Sequence, residues 1–411
     1  MELRTLAAGA KDASVVGDET TEVKALAYDS RKVERGTLFF CVRGDKTDGL
    51  NFAAKAVDAG ATALVVEKGR EQELPELGVP LILVRDPRAA MAPLASRFHE
   101  DPTAEMKVIG VTGTNGKTTT AFLIREILEA VGVRCGLLGT VKQVVGGEEE
   151  PVQRTTPEAI DLQATFARML EKKDQICVME VSSHALALHR CDAIHFDLAL
   201  FTNLTQDHLD FHSSMEDYFE AKRLLFDMGP RVAIANVDDR YGRQLAEEFR
   251  GCLTFSAAGE EANFVARDVK LNATGAEFEI IEWMGGEKAA ADSRSHPLGG
   301  VVRTQLPGAF NVDNALGAFA AATRVDLDPS IEPDAVACAL ADAEAPPGRL
   351  QPIDEGQAFT VLVDYAHTPD SLDSVLKAVR EVTEGRTIAV FGAGGDRDRK
   401  KRPLMGRAGA E

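Results

Sequence analysis

The sequence lacks paired cysteines. Its six thiols, Cys41, Cys135, Cys177, Cys191, Cys252 and Cys338, are scattered through 411 residues without a C-x-x-C pair, most of them in apolar surroundings. That pattern argues against a thiolate metal centre or a dithiol redox site and for buried free thiols in a reducing compartment. It also lacks any apolar run near the roughly 20 residues that a membrane span needs. The opening MELRTLAAGAKDASVV carries no sustained apolar core for a signal peptide, so a cytoplasmic protein is expected. Positive charge is in deficit: 46 Lys and Arg stand against 65 Asp and Glu, a formal net charge of -19. A general nucleic-acid surface is therefore not expected, and any anionic ligand must be met by local cations. No internal repeat or low-complexity tract is visible.

What is present is ordinary for a soluble globular chain, 45% apolar and 27% charged, and long enough for two or three domains. Short β-branched runs alternate with helix-period stretches from end to end. TLFFCV, ATALVVE and PLILV come first, then KVIGV, ICVMEV, LALFTNL and VAIANV, and finally FTVLVDY and TIAVFG. Such alternation predicts an α/β protein with largely parallel sheets. Two polar, Pro-containing seams, HEDPTAEMK and AEAPPGRLQ, place domain boundaries near residues 103 and 345. The expected domains are 1–103, 104–345 and 346–411. The last offers one strand, helix, strand unit and the start of another helix, which is too little to cover both faces of a sheet.

GVTGTNGKTTT, Gly110 to Thr120, misses the G-x-x-x-x-G-K-[ST] spelling of a phosphate loop by one place, because residue 111 is Val. Its context is nonetheless that of a nucleotide site. Val108, Ile109 and Val111 make a buried-strand run before it, and Leu123, Ile124, Ile127, Leu128 and Val131 make an apolar helical stripe after it. A strand, a glycine turn and a helix N-terminus together present backbone N–H groups to an anion. Lys117 would supply a point charge and the Thr118 or Thr119 hydroxyl a ligand for the accompanying Mg²⁺. The plainer alternative is a tight turn with an exposed lysine.

Other segments are suggestive. MEVSSHAL leaves Glu180 at a strand end, where α/β sheets present ligands; it is a candidate for Mg²⁺ or a surface carboxylate. FTNLTQDHLDFH gathers Asn203, Asp207, His208, Asp210 and His212 after another strand, which favours a site. Lys222, in YFEAKRLLF, reads by itself as an ordinary solvated lysine. FNVDNALGAFAAA opens a helix with Asn311 as a plausible cap and Asn314 in the first turn. Arg349 sits at the second seam, where a cation can meet charge developing on a γ-phosphate. Asp364 ends the strand of VDYAHTPDSL.

The loop GTNGKTTT resembles the ATP loop of the Mur ligase family, which also includes folylpolyglutamate synthase. DSRKVERGTLFFCVRG, RTTPEAIDLQ, EVSSHALALHR and FGAGGDRDRKKRPLM, in that order, are similar to the MurE-type branch, and the likeness runs from about Asp29 to the C-terminus. The resemblance implies a three-domain architecture: a small α/β UDP-binding domain, a central P-loop ATPase domain with a mainly parallel sheet, and a Rossmann-like C-terminal domain, here incomplete. The implied activity is ATP-dependent addition of meso-diaminopimelate or L-lysine to UDP-N-acetylmuramoyl-L-alanyl-D-glutamate through an acyl phosphate. ATP falls to Gly113, Thr114, Asn115, Gly116, Lys117, Thr118, Thr119, Asn314 (adenine), Arg349 and Asp364 (near the ribose). Two Mg²⁺ ions fall to Thr118, Glu180, His208 and Lys222, the last as a carbamate. Ser30 and Arg31 would touch the uridine nucleotide, Thr155, Thr156, Ser182 and Arg190 the muramoyl dipeptide, and Arg397 the incoming amino acid. Catalysis would rest on Lys117, Lys222, Glu180, His208 and Arg349. A monomer is expected.

One departure stands out. MurE-type ligases carry, beyond the point where this sequence stops, an Asp-Asn-Pro motif whose next residue helps to select the amino acid. The expectation is a fragment of a longer gene product; a truncated nucleotide-binding paralogue and a sister ligase are the alternatives.

Overall fold

The computed structural model describes residues 1–44, 47–272, 275–283, 295–383, 385–393 and 401–410; Arg397 lies outside them. The chain divides into two compact units. Unit 1 comprises Met1–Met106, Thr156–Lys172 and His184–His195, and unit 2 comprises Lys107–Thr155, Lys173–Ser183 and Phe196–Glu411.

Unit 1 is built on strands β1 (Ser14–Val16), β2 (Ala25–Ala27), β3 (Thr37–Phe40), β4 (Ala61–Glu67) and β5 (Leu81–Val84). They lie in the order β1-β5-β4-β3-β2, with only β1 antiparallel. The strand β3 is buried at every position because both faces are covered. Leu38, Phe40 and Val65 pack with Met91 and Leu94 of the helix Pro87–Phe98 and with Ala159 and Ile160 of the helix Ala159–Glu171. Phe39, Leu64 and Val66 point the other way, onto Ala53 and Ala56. Asp86 caps the helix Pro87–Phe98 by accepting from the Arg88 and Ala89 amides, with Pro87 in its first turn.

Unit 2 holds the remaining strands: β6 (Lys107–Thr112), β7 (Cys135–Leu138), β8 (Gln143–Val145), β9 (Glu148–Glu150), β10 (Ile176–Glu180), β11 (Leu198–Phe201), β12 (Val232–Asn236), β13 (Leu253–Ser256), β14 (Phe264–Asn272), β15 (Gly275–Trp283), β16 (Ser295–Thr304), β17 (Gln351–Ile353) and β18 (Val361–Val363). Among the described residues β6 to β16 form one sheet in the order β16-β15-β14-β13-β12-β11-β6-β10-β7-β8-β9. Neighbours from β7 across to β14 run parallel, and hairpins at both edges are antiparallel. The helices Lys117–Ala130 and Ala309–Arg324 seat Ile124, Leu128, Leu316 and Phe319 in the core on one face of this sheet.

Two local expectations fail. The helix Ala309–Arg324 starts at Gly308, and Asn311 is no cap: its side-chain amide donates to the Pro307 carbonyl at 2.8 Å from within the first turn. After residue 346 the strands are an antiparallel pair, β17 with β18, and residues 386–393 form no strand. A strand is defined by its ladder partner, and none lies beside this stretch among the described residues. Ile388 and Val390 are 69% and 95% exposed. The helix expected in this last segment forms over Pro369–Glu381, opened by a capping box of Thr368 and Ser371.

Cys41, Cys135, Cys177 and Cys191 are buried free thiols, Cys252 is half-buried, and Cys338 is exposed on the helix Pro333–Asp342. Burial pushes the thiols of Cys41, Cys191 and Cys252 up to about 12. Among the described residues no helix is long and apolar enough to cross a membrane.

Candidate active site

The strand β6 is flanked by β10 on one side and β11 on the other, so the chain winds outward in both directions from it. In open α/β sheets ligands bind at such a reversal, beyond the carboxyl ends of the strands. The three strands end together there: Glu180 is level with Val111, and Phe201 with Thr112.

The turn after β6 uses glycine where no other residue fits. Gly113 has φ 144°, and a Cβ there would stand 1.9 Å from Thr202 Oγ1; Gly116 has φ 86°, and its Cβ would meet Asn314 Oδ1 at 2.3 Å. Asn203 fixes the loop by accepting from the Asn115 amide at 2.9 Å through its side chain and from the Thr114 amide at 2.8 Å through its carbonyl. Thr114 Oγ1 in turn accepts from the Thr205 amide at 3.0 Å. Lys117, the first residue of the following helix, donates to the carbonyls of Gly113 and Thr114 at 2.9 and 2.8 Å. Burial holds its pKa below the ordinary lysine value, opposed by Glu180 and reinforced by Arg349.

Glu180 is 1% exposed. Its Oε2 accepts from Thr118 Oγ1 at 2.9 Å and from Thr140 Oγ1 at 3.0 Å, and its Oε1 accepts from the Thr140 amide at 2.6 Å. A Cβ on Gly139 would come within 2.7 Å of that Oε1. Arg349 Nη2 donates to Thr118 Oγ1 at 3.1 Å, and its guanidinium lies 5.0 Å from the Tyr365 ring centre. Its Nε is buried with no hydrogen-bond partner among the described residues.

Lys222 is not a surface lysine. It is 1% exposed, donates to the same Gly113 carbonyl at 2.7 Å, and sits 4.5 Å above the Tyr218 ring. Desolvation drives its pKa well below the ordinary lysine value; Lys117 adds to the effect and Asp207 opposes it. The helix Met215–Asp227, capped by Ser214, carries both Tyr218 and Lys222, four residues apart and so on one face. Nearby, His208 adopts a left-handed backbone (φ 53°) with Nε2 3.5 Å from Asp207 Oδ2. His212 is buried with Nε2 2.9 Å from Ser183 Oγ.

These groups border a cavity of about 520 Å³ in unit 2, lined by Thr114 to Thr119, Thr155, Glu180, Ser182, His208, Asn314, Arg349 and Asp364. Lys222 stands behind the loop rather than on the cavity wall. Asp364 spends both oxygens on backbone amides, those of Leu350 (2.8 Å) and Ala366 (2.7 Å). Thr140, Thr202, Tyr365 and Asp313 also line the cavity and were not singled out from sequence: Thr140 lies outside the motifs, and the other three lie within them beside residues that drew the assignment. Asp313 carries a carboxyl pushed up to about 7, by burial first and by Asp238 second.

In unit 1, Ser30 and Arg31 lie in a 3-10 turn capped by Asp29, whose carboxyl the Arg31 side chain pulls down to about 2. Arg190 donates to the Thr156 carbonyl at 3.1 Å and pairs with the buried Glu158 at 3.0 Å, which Arg88 also reaches at 3.4 Å.

Three family models match in succession: the Mur ligase family catalytic domain over residues 22–99, the Mur ligase middle domain over 111–322, and the Mur ligase glutamate ligase domain over 348–411. The chain belongs to the Mur ligase family. Among its relatives is the UDP-N-acetylmuramoyl-L-alanyl-D-glutamate–2,6-diaminopimelate ligase of Caldanaerobacter subterraneus subsp. tengcongensis, 39% identical over 99% of this chain and 80% of the relative. The enzyme of the same name from Streptomyces coelicolor is 43% identical over 95% and 74%. A solved structure of a ligase of that name superposes with a TM-score of 0.74 at 29% identity, covering all of this chain and 80% of the other. The α/β fold of this Mur ligase is the one the resemblance implied.

Proposed function

We propose that this Mur ligase adds 2,6-diaminopimelate to UDP-N-acetylmuramoyl-L-alanyl-D-glutamate in the cytoplasm, at the expense of ATP. The observation that carries the reading is the convergence of Lys117, Thr118, Glu180 and Arg349 on one cavity at the strand reversal, in a chain whose relatives bear that name. The acceptor carboxylate attacks the γ-phosphorus of ATP, the bond to the bridging oxygen breaks, and ADP leaves. The unprotonated amine of the amino acid then attacks the acyl carbon, the C–O bond to phosphate breaks, and the nitrogen gives up one proton as phosphate departs, leaving the amide. Two anions must meet in the first step, so cations fixed beforehand lower its barrier. Lys117 and Arg349 are such cations, and the buried Arg349 Nε, lacking a partner among the described residues, suits a phosphate oxygen. No side-chain nucleophile is required.

The residues fit Mg²⁺. Thr118 and Glu180 offer hard oxygen donors, and His208 lines the same cavity. Among the described residues no group of three or more His, Cys, Asp or Glu could hold a metal alone, which suits an ion that takes most ligands from phosphates and water. Bound there, Mg²⁺ neutralises phosphate charge. Lys222 serves as a carbamate: its amine, when unprotonated, adds to CO2, forming an N–C bond and releasing one proton, and the resulting anion would help to hold the second Mg²⁺. The depressed pKa supports this, since only an unprotonated amine attacks CO2. We assign Gly113 to Thr119, Asn314 and Asp364 to ATP, Ser30 and Arg31 to the uridine nucleotide, and Thr155, Thr156, Ser182 and Arg190 to the muramoyl dipeptide. The successive family matches support domains 1–103, 104–345 and 346–411.

Mass spectrometry of a reaction with ATP, Mg²⁺ and the acceptor, run with diaminopimelate, L-lysine or no amino acid, tests the assignment. A diaminopimelate-containing tripeptide is expected; a lysine product would change the amino acid, and absence of both from a folded sample would overturn the reading. Arg190→Ala is expected to raise the acceptor KM about 10- to 100-fold, the cost of a charge-assisted hydrogen bond, while ATP affinity stays within twofold. Steady-state kinetics with each substrate varied in turn checks this.

A further inference from the structure

Glu180 draws two of its hydrogen bonds from Thr140, one from the amide and one from the hydroxyl. A carboxylate has no proton to give, so the Thr140 hydroxyl hydrogen is committed to Glu180 Oε2. The 3.0 Å contact between Thr140 Oγ1 and Thr155 Oγ1 must then use the hydrogen of Thr155. A threonine hydroxyl has one hydrogen, so Thr155, on the cavity wall, faces the cavity with a lone pair. It therefore meets a donor. Thr118 completes the chain on the far side, donating to Glu180 while accepting from Arg349. One run of hydrogen bonds thus leads from Arg349 through Thr118, Glu180 and Thr140 to Thr155.

We propose that Thr140 is a positioning residue that locks the Glu180 carboxylate and orients Thr155 to accept a peptide N–H of the acceptor, so coupling acceptor binding to the metal–nucleotide site. The inference rests on the ligase reading and deepens it. Gly139 belongs to the same device, because its missing Cβ lets the strand end approach the carboxylate.

The test compares wild type with Thr140→Val, Thr140→Ser, Thr155→Val and the double valine variant. Calorimetry of Mg²⁺ with a non-hydrolysable ATP analogue gives a readout independent of turnover. Thr140→Val is expected to raise both the acceptor KM and the Mg²⁺ half-saturation about tenfold, one hydrogen bond's worth, with Thr140→Ser within threefold of wild type. Thr155→Val is expected to raise the acceptor KM alone, and the double variant to fall no further on that KM than the worse single one, as coupled residues do. An acceptor with the amide N–H replaced by an ester oxygen should lose about tenfold on wild type and nothing more on Thr155→Val. Wild-type constants for Thr140→Val, failure of the serine to rescue, or strictly additive losses would each overturn the proposal. If Thr140→Val does not fold, the serine variant, Thr155→Val and the ester analogue decide it. Wild-type turnover in the same assay keeps the two readings apart: its absence sinks the ligase assignment, whereas the calorimetry judges Thr140 alone.

Discussion

Lys222→Ala is expected to lower turnover by at least about 10³-fold, the loss expected when a ligand of an ion that stabilises charge on the reacting phosphate is removed. A lysine on the protein surface would tolerate the change. The fold has instead placed this amine out of water, against Gly113 O and the Tyr218 ring, and beside a second lysine. Folding such a group costs stability at neutral pH. Its folded pKa lies well below the unfolded 10.5, so between those two values the unfolded chain binds more protons, and stability rises with pH across that window. Below the folded pKa the burial cost is present in full. Lys222→Met should therefore be inactive yet more stable than wild type in CO2-depleted buffer, with the margin shrinking as pH approaches 10.5. Denaturant titrations at several pH values and rate measurements on the same samples check both halves. Labelled bicarbonate should give a carbamate carbon signal in wild type that Lys222→Ala lacks; wild-type rates from Lys222→Ala would end the carbamate reading.

Lys117→Ala is expected to reduce kcat/KM for ATP by about 10³-fold, and Lys117→Arg to recover little of it. The loop that carries Lys117 is built around close approach: Gly113 to Thr202, Gly116 to Asn314. Within it the ammonium is a compact charge held by two carbonyls, a position that a planar, branched guanidinium does not reproduce. Nucleotide calorimetry beside ADP-release kinetics separates weaker binding from a slower chemical step. Near-normal kinetics from Lys117→Ala would remove the lysine from the phosphate site.

Much of this was legible in the sequence, for identifiable reasons. The strands β3, β6, β10 and β11 are buried at nearly every position, so each reads as a near-continuous apolar run. The phosphate loop announced itself through a strand before it and an apolar stripe after it, despite a non-standard glycine spacing. The strands β9 and β14-β15 passed unread, because strands with a wet face carry charge, as in Glu148–Glu150 and at Glu277 and Glu279 of β15. The 386–393 segment misled for the opposite reason: an apolar run predicts a strand only where a neighbour supplies its ladder. At the site, charged residues within motifs stood out. Thr140 did not, because one small hydroxyl gains its meaning from Glu180, which is distant in sequence. Lys222 alone would have been read as solvated; burial, a property of the fold, drives its pKa down.

The distribution of thiols has a practical consequence for surface chemistry. Cys338, on the outer side of the helix Pro333–Asp342, is the exposed cysteine, while the other five are buried or half-buried, and it is not among the cavity-lining residues. A maleimide should thus attach one dye or one biotin per native chain at a known point. Tethered through Cys338, every immobilised molecule presents its cavity in the same orientation, and Lys222 and Thr140 variants can be compared without removing a cysteine.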